Sequence, residues 1–559
     1  MDQLATDSFG AWGALTMTGA VAPSADAFSA STLAGLFRHS AMRHSDRPAL
    51  WVDGDFVSYG DLHALAARIA HGLAGAVCAH GTARCAILGN RGLIDFAGIL
   101  GALLARCTYV PLNARHPPQR LSQIMNDAGA QALVVDRNHL DHARPLLEAV
   151  AQRVLVLLPD SAVVPDWAAT MTRHRFLCST DLGPADPGGL DPGNTEDGAY
   201  LLFTSGTTGA PKGVLVRNGN AMPYLRSVAA RYAPTPDDRC TQLFDLTFDL
   251  SVHDMFLCWG AGAALFRIPD NVRFVPRDFV QRHALTTWFS VPSTAAMMLG
   301  LRALRPGDFP SLRLGLFCGE ALPKRLAVAW AAAAPHAMIE NLYGPTEATI
   351  ALTAFRMPRD AAALEALPEI VPIGAPLPGQ DALPVGSTGQ PVSEGEEGEL
   401  CLTGSQVTDG YWQRPDLTRE RFVRFDWDGR IWYRTGDRAR HTREHGLVFL
   451  GRLDRQVKIA GHRVELQEIE AVLHRAAGAT AAVIAWPLGP DGLARGIVGF
   501  VGQTTRPIDD MLDACRQALP PYAVPSAIHR VADWPLNGSG KTDHARLRDL
   551  MEMPTCSKT

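Results

Sequence analysis

The chain has 559 residues, 47% of them apolar and 19% charged, with ten cysteines and a formal net charge of −5. That length allows several domains, the acidic balance leaves no basic footprint for nucleic acid, and the longest apolar run, about 96–105, is too short to span a bilayer. The cysteines scatter from Cys78 to Cys556 without CxxC spacing, as expected of reduced core thiols in a cytoplasmic protein rather than a metal cluster. Asp2 and Asp7 precede the first positive side chain, Arg38, so no secretory signal is expected.

Residues 1–30, rich in Ala, Ser, Gly and Thr, read as a loose leader. Ser58 and Asp61 form a capping-box pattern opening a helix through Gly75. CAILG (85–89) reads as a buried strand, LIDFAGILGALLA (93–105) as a buried helix, Gln119–Ala128 as a helix and ALVVD (132–136) as a strand. This alternation predicts βαβ units and a parallel sheet. The Pro/Gly/Asp-rich stretch 183–198 reads as a linker into the strand AYLLFTS (199–205). Short strands such as GELCLTG (398–404) in the Gly-rich region 365–450 suggest barrel-like β structure.

The segment TSGTTGAPKG (204–213) follows a strand but does not fit a Walker A frame. Its glycines nevertheless allow backbone N–H groups to approach an anion, its hydroxyls donate hydrogen bonds and Lys212 adds charge. Four further motifs follow in order: NLYGPTEATI (341–350), YRTGDRAR (433–440), GRLDRQVKIAGHRVELQEIE (451–470) and NGSGKTDHARL (537–547). Together the five resemble the adenylate-forming superfamily of acyl-CoA synthetases, luciferases and nonribosomal adenylation domains, over about residues 32–550.

The resemblance implies an α/β fold. A large domain (31–453), made of two αβαβα-type subdomains and a small β-barrel, is hinged at Asp454 to a mobile α+β lid (454–559). It also implies ATP and Mg²⁺. Thr204, Ser205, Gly206, Thr207, Thr208 and Lys212 would hold the pyrophosphate end. Tyr343 and Gly344 would pack on adenine, Thr346 would contact phosphate and Glu347 would help hold Mg²⁺, a hard cation suited to carboxylate oxygen. Asp437 would accept from the ribose hydroxyls, with Arg452 beside it. Lys541 would approach the carboxylate and α-phosphate, where charge develops in the transition state. The lid would turn between presenting Lys541 and presenting a thiol-delivery face around QVKIAG.

The stretch FDLTFDLSVHDMF (244–256) sets three aspartates in apolar sequence, where an unpaired carboxylate is costly. Its likeness to FDxSVxxMF in amino-acid-activating enzymes makes Asp249 the partner of a substrate ammonium, while Asp245 and Asp254 are expected in solvent. FCGEALP (317–323) resembles free-standing D-alanine ligases. The same resemblance gives a side-chain pocket of Asp249, Leu250, His253, Phe289, Leu316, Cys318, Leu342, Ile350 and Ala351, similar to that of L-prolyl-carrier protein ligases. His253 departs from that pattern. It reads either as a rim histidine turned to solvent or Asp254, or as a contact for a polar substituent on the substrate.

Only 18 residues follow Lys541, so a separate holo peptidyl carrier protein is the expected acceptor. The expected reaction is formation of aminoacyl-AMP, from L-proline first and a small neutral amino acid such as alanine or serine second, then transfer to the carrier's phosphopantetheine. The alternatives are an acyl- or aminoacyl-CoA ligase and a nucleotide-binding regulatory protein without chemistry.

Overall fold

The computed structural model describes residues 27–74, 82–183, 190–205, 211–489, 494–536 and 542–552. The alternation read at 85–136 becomes a seven-stranded sheet whose spatial order is Arg175–Cys178, Leu155–Leu158, Ala132–Val135, Arg84–Gly89, Thr108–Asn113, Gly198–Thr204 and Lys212–Arg217. All neighbours are parallel except the last pair, which is antiparallel. The buried helix Leu93–Leu104 covers one face, and Tyr59–Ala74 packs on it. At the start of Tyr59–Ala74, Ser58 Oγ accepts from Asp61 N at 3.0 Å, the cap the sequence predicts.

A nine-stranded sheet forms the second layer, with a parallel centre from Met338–Tyr343 through Leu314–Phe317, Thr287–Ser290 and Arg239–Gln242 to Ala264–Arg267. Between the sheets runs the helix Leu250–Gly260, with every residue buried. A helix buried on every face belongs inside a core, and this one joins the hydrophobic cluster that also takes in residues of both sheets. Residues 380–452 form a five-stranded antiparallel sheet built on the long strand Asp428–Thr442. Beyond Asp454 come a hairpin, Gln456–Ile459 with His462–Glu465, and a three-stranded sheet over helices Leu466–Ala477 and Ile508–Ala518. This region has its own apolar core.

Three expectations change. Residues 27–30 are not loose: Ala27–Ser29 form a turn of 3₁₀ helix, with Phe28 buried in the main core and its carbonyl accepting from Arg226 Nε at 2.9 Å. Asp254 is not in solvent: it lies inside the buried helix, and burial pushes its carboxyl well above the usual carboxylate range. A buried acid without a cation becomes neutral rather than staying charged. Asp245 is half-buried and tied down, accepting from Thr247 N and Oγ1 at 2.9 and 2.8 Å and from Asn113 Nδ2.

Candidate active site

The carboxyl ends of the parallel strands, where α/β sheets bind ligands, open onto a cleft of ≈ 110 Å³. Its walls include Thr204, Ser205, Asp249, Leu250, Cys318, Tyr343, Gly344, Thr346, Asp437 and Arg452 from the large domain. Lys458, Gly461, Arg463 and Tyr522 come from beyond Asp454. Residues from four distant motifs thus meet in one place. Gly206, Thr207, Thr208 and Lys541 lie outside the described residues.

Asp249 sits at the start of the Leu250–Gly260 helix, and its Oδ2 accepts from Ile350 N at 3.0 Å. The chain is strained to aim that N–H: Thr349 and Ile350 have φ of 55° and 71°, a region β-branched residues seldom occupy. Gln406 fixes the bend, its Nε2 donating to Thr349 O at 3.2 Å and Ala351 O at 2.8 Å. Gly344 is required beneath it, since a Cβ there would stand 2.5 Å from Ala351 Cα. Burial, reinforced by the Glu347 charge, pushes the Asp249 carboxyl up to about 6. Thr346 also donates to it, and no lysine or arginine pairs with it among the described residues.

At the opposite end, Lys212 Nζ stands 3.5 Å from Glu347 Oε1 and donates to Tyr411 Oη at 3.2 Å. Burial, then the nearby Arg463 charge, brings this lysine down to about 8. Glu347 is fully buried, which alone would raise its pKa, yet Arg463 and Lys212 hold it well below the usual carboxylate range. Arg463 Nη1 lies 3.1 and 3.0 Å from its two oxygens, and Tyr411 Oη donates to Oε1 at 2.7 Å. The Mg²⁺ role expected of Glu347 therefore does not fit this arrangement. Both oxygens face cations, and no cluster of three His, Cys, Asp or Glu suits a metal among the described residues.

Asp437 takes Arg452 Nη1 on Oδ1 at 2.6 Å and Tyr343 Oη on Oδ2. Tyr343 stands on the strand Met338–Tyr343 with its ring tilted 6.5 Å from Phe449. Ser205, expected at phosphate, donates instead to Arg463 O at 2.6 Å. The same hairpin is held by Glu320, which accepts from Gly461 N at 2.7 Å and Ser293 N at 2.8 Å. Arg120 and Glu468 add a buried pair at 2.7 Å. The hairpin carrying QVKIAG thus faces the cleft. Asp454 grips Arg452 with both oxygens, at 2.6 and 2.8 Å.

Of the nine residues read as the side-chain pocket, Asp249, Leu250 and Cys318 line the cleft. His253, Phe289 and Leu316 line a smaller cavity behind it, and Leu342, Ile350 and Ala351 are buried. His253 is neither on a rim nor paired with Asp254; its Nδ1 is 2.7 Å from Tyr224 Oη, inside the core. Sequence reasoning missed Arg463, Lys458, Tyr411 and Tyr224. The first two lie in GRLDRQVKIAGHRVELQEIE, where only residue type marked them. Tyr224 and Tyr411 carried no local signal.

The buried acid Asp249, the Lys212–Glu347–Tyr411 cluster and the Asp437 carboxylate held between Tyr343 and Arg452 are thus gathered around one cleft. The AMP-binding enzyme family matches residues 37–412, and the chain belongs to it. It is 33% identical over 528 residues to the L-proline–[L-prolyl-carrier protein] ligase of Streptomyces coelicolor, covering 91% of this chain and 95% of that protein. It is 31% identical over 534 residues to the delta-poly-L-ornithine synthetase of Acinetobacter baumannii, but spans only 36% of that protein's length. The crystal structure of the Vibrio cholerae adenylation domain AlmE with glycyl-adenosine-5′-phosphate superposes with a TM-score of 0.85 at 32% identity, covering 97% of this chain and all of that one. The protein is accordingly an amino-acid-adenylating ligase. No helix among the described residues is long and apolar enough to cross a membrane.

Proposed function

We propose that the protein activates L-proline with ATP as prolyl-AMP and delivers it to the phosphopantetheine thiol of a separate carrier protein. The observation that carries the amino-acid reading is Asp249, a buried carboxylate at the cleft with a strained N–H aimed at it and no cation of its own among the described residues. A substrate ammonium supplies the missing charge and brings its partner with it into low dielectric. Proline and the carrier are suggested by the Streptomyces ligase, similar along nearly its whole length. A small neutral amino acid is the second reading, favoured by the glycyl-adenylate held by the Vibrio neighbour.

In this reading Thr204, Ser205, Gly206, Thr207, Thr208 and Lys212 hold the pyrophosphate end. Tyr343 and Gly344 pack against adenine, Thr346 reaches phosphate, and Asp437 with Arg452 takes the ribose. Lys541 stabilises the charge that develops as the carboxylate attacks. The QVKIAG hairpin against the cleft supports thiol delivery from that side, with Asp454 as the hinge. ATP–pyrophosphate exchange over the proteinogenic amino acids plus pipecolate, azetidine-2-carboxylate and 4-hydroxyproline tests the substrate, and L-proline is expected to be strongest. A clear preference for an acyclic amino acid with proline at background overturns proline but not adenylation. Transfer to holo carrier protein but not to free coenzyme A is expected; the reverse makes it a CoA ligase.

A further inference from the structure

The amino-acid side chain enters a site whose depth is set by one helix. Asp249 and His253 are four residues apart at the start of the Leu250–Gly260 helix, so they share a face and stand about 6 Å apart along the axis. Whatever binds its ammonium at Asp249 meets the imidazole about one turn further in. The imidazole is packed edge-on against Phe289, with ring centroids 4.6 Å apart, and Phe289 rests on Phe244 at 5.0 Å. Beyond this wall lies a second cavity of ≈ 20 Å³, bordered by Leu316, Cys240, Cys258, Asp254 and Arg313. The cleft and this rear cavity share no lining residue: His253 and Phe289 border the rear cavity, and Asp249, one turn before His253 on the same helix, borders the cleft.

An imidazole can turn about its side-chain torsions, so something must hold the wall. Tyr224, on the neighbouring helix Asn218–Tyr232, is fully buried, and its hydroxyl lies 2.7 Å from His253 Nδ1. Tyr232, on the same helix, stands 6.5 Å from the imidazole and is anchored by its hydroxyl to Glu340 Oε2 at 3.0 Å. Burial brings His253 down to about 3, so the wall is uncharged at neutral pH and offers nothing to a side-chain carboxylate or ammonium.

We propose that Tyr224 is a positioning residue for substrate selection: by hydrogen-bonding His253 it holds the imidazole against Phe289 and closes the side-chain site at the depth of a compact, uncharged amino acid. The inference rests on the amino-acid reading of Asp249 and names the residue that fixes the class of side chain. Without that bond the imidazole is free to swing toward the rear cavity, and the side-chain site deepens.

The test is pyrophosphate exchange with a graded series (glycine, alanine, proline, pipecolate, leucine, methionine, phenylalanine) for the parent, Tyr224→Phe, His253→Ala and the double variant. Tyr224→Phe removes one oxygen from a well-packed ring. It is expected to lower kcat/KM for the best compact substrate and to raise the leucine-to-best ratio about tenfold, the scale at which one or two methylenes are discriminated. His253→Ala is expected to broaden selection in the same direction, and the double variant to add little to it, as for two residues acting through one wall. An unchanged ratio in Tyr224→Phe, or additive ratios in the double variant, overturns the proposal. If Tyr224→Phe melts below the assay temperature, His253→Gln takes its place, since an amide can still meet the Tyr224 hydroxyl; it is expected to keep the parent's ratio, and a ratio like that of His253→Ala overturns the proposal. A parent that exchanges with no amino acid in the series defeats the amino-acid reading instead, a result unlike any of these.

Discussion

Arg463 and Glu347 meet across the seam between the 456–465 hairpin and the large domain, Nη1 lying 3.1 and 3.0 Å from the two carboxylate oxygens. Glu347 cannot serve this arginine and a metal–phosphate group together. The pair belongs to the arrangement in which the 456–465 hairpin lies against the cleft. Arg463→Ala is therefore expected to leave pyrophosphate exchange within a few-fold of the parent. It is expected to slow transfer of a pre-formed aminoacyl-AMP by about tenfold or more, because losing one member of a buried pair strongly penalises the arrangement that needs it. Measuring the half-reactions separately decides it, and equal losses in both would sink this division.

Lys541→Ala should give the opposite pattern. If Lys541 stabilises developing charge during adenylation, exchange falls by roughly 10²- to 10³-fold, the scale for removing one such stabiliser, while transfer from a supplied aminoacyl-AMP survives. Transfer that falls with exchange would remove the role.

Asp249 carries a pH prediction. Its carboxyl, raised to about 6, must be ionised to attract an ammonium. Below that value kcat/KM for the amino acid should fall about tenfold per pH unit, while the KM for ATP stays nearly flat. The sign for stability is opposite to that of a salt-bridged acid. A raised folded-state pKa means the fold holds more protons in the window from about 4 to 6, so stability drops as pH rises through it. Asp249→Asn should abolish the pH profile, raise the amino-acid KM severely and melt at or above the parent's temperature at pH 7.5. A lower melting temperature with an unchanged KM would contradict the assignment.

Asp454→Pro fixes φ at the turn and removes a side chain that grips Arg452 twice. At least one half-reaction, expected to be adenylation, should persist while the full cycle falls sharply. Unchanged turnover would make Asp454 an ordinary turn residue.

The fold was legible where local pattern decides it. Residues 84–136 alternate between short apolar strands and helices, the first helix buried as its apolar sequence demands. Where a motif carries the residue, as with Asp437 or Thr346, the side chain does stand at the cleft. Sequence reading failed where a partner arrives from far along the chain. Arg463 is 116 residues from Glu347, and nothing near either forecasts the pairing. Asp254 and His253 misled for a related reason: polar groups in an apolar helix are expected at its wet face, but this helix has none. One acid is kept neutral by burial and one imidazole is paired with Tyr224.

Tyr433, Thr435 and Asp437 occupy alternate buried positions on the strand Asp428–Thr442, while Arg434 and Arg438 face outward. Tyr433 reaches the Lys212–Glu347 cluster through Tyr411, at 3.3 Å between hydroxyls, and Asp437 serves the Tyr343–Arg452 end. The backbone between these two stations is bulged, Gly436 having a φ of 74° and the pairing with the strand Glu397–Gly404 shifting register between Glu399 and Cys401, so the bulge sets their spacing. The strand acts as a ruler whose graduations cannot be moved singly. Inserting or deleting one residue between 433 and 437 turns one station to the outside, so length variation here should be far more damaging than any point substitution among its exposed arginines.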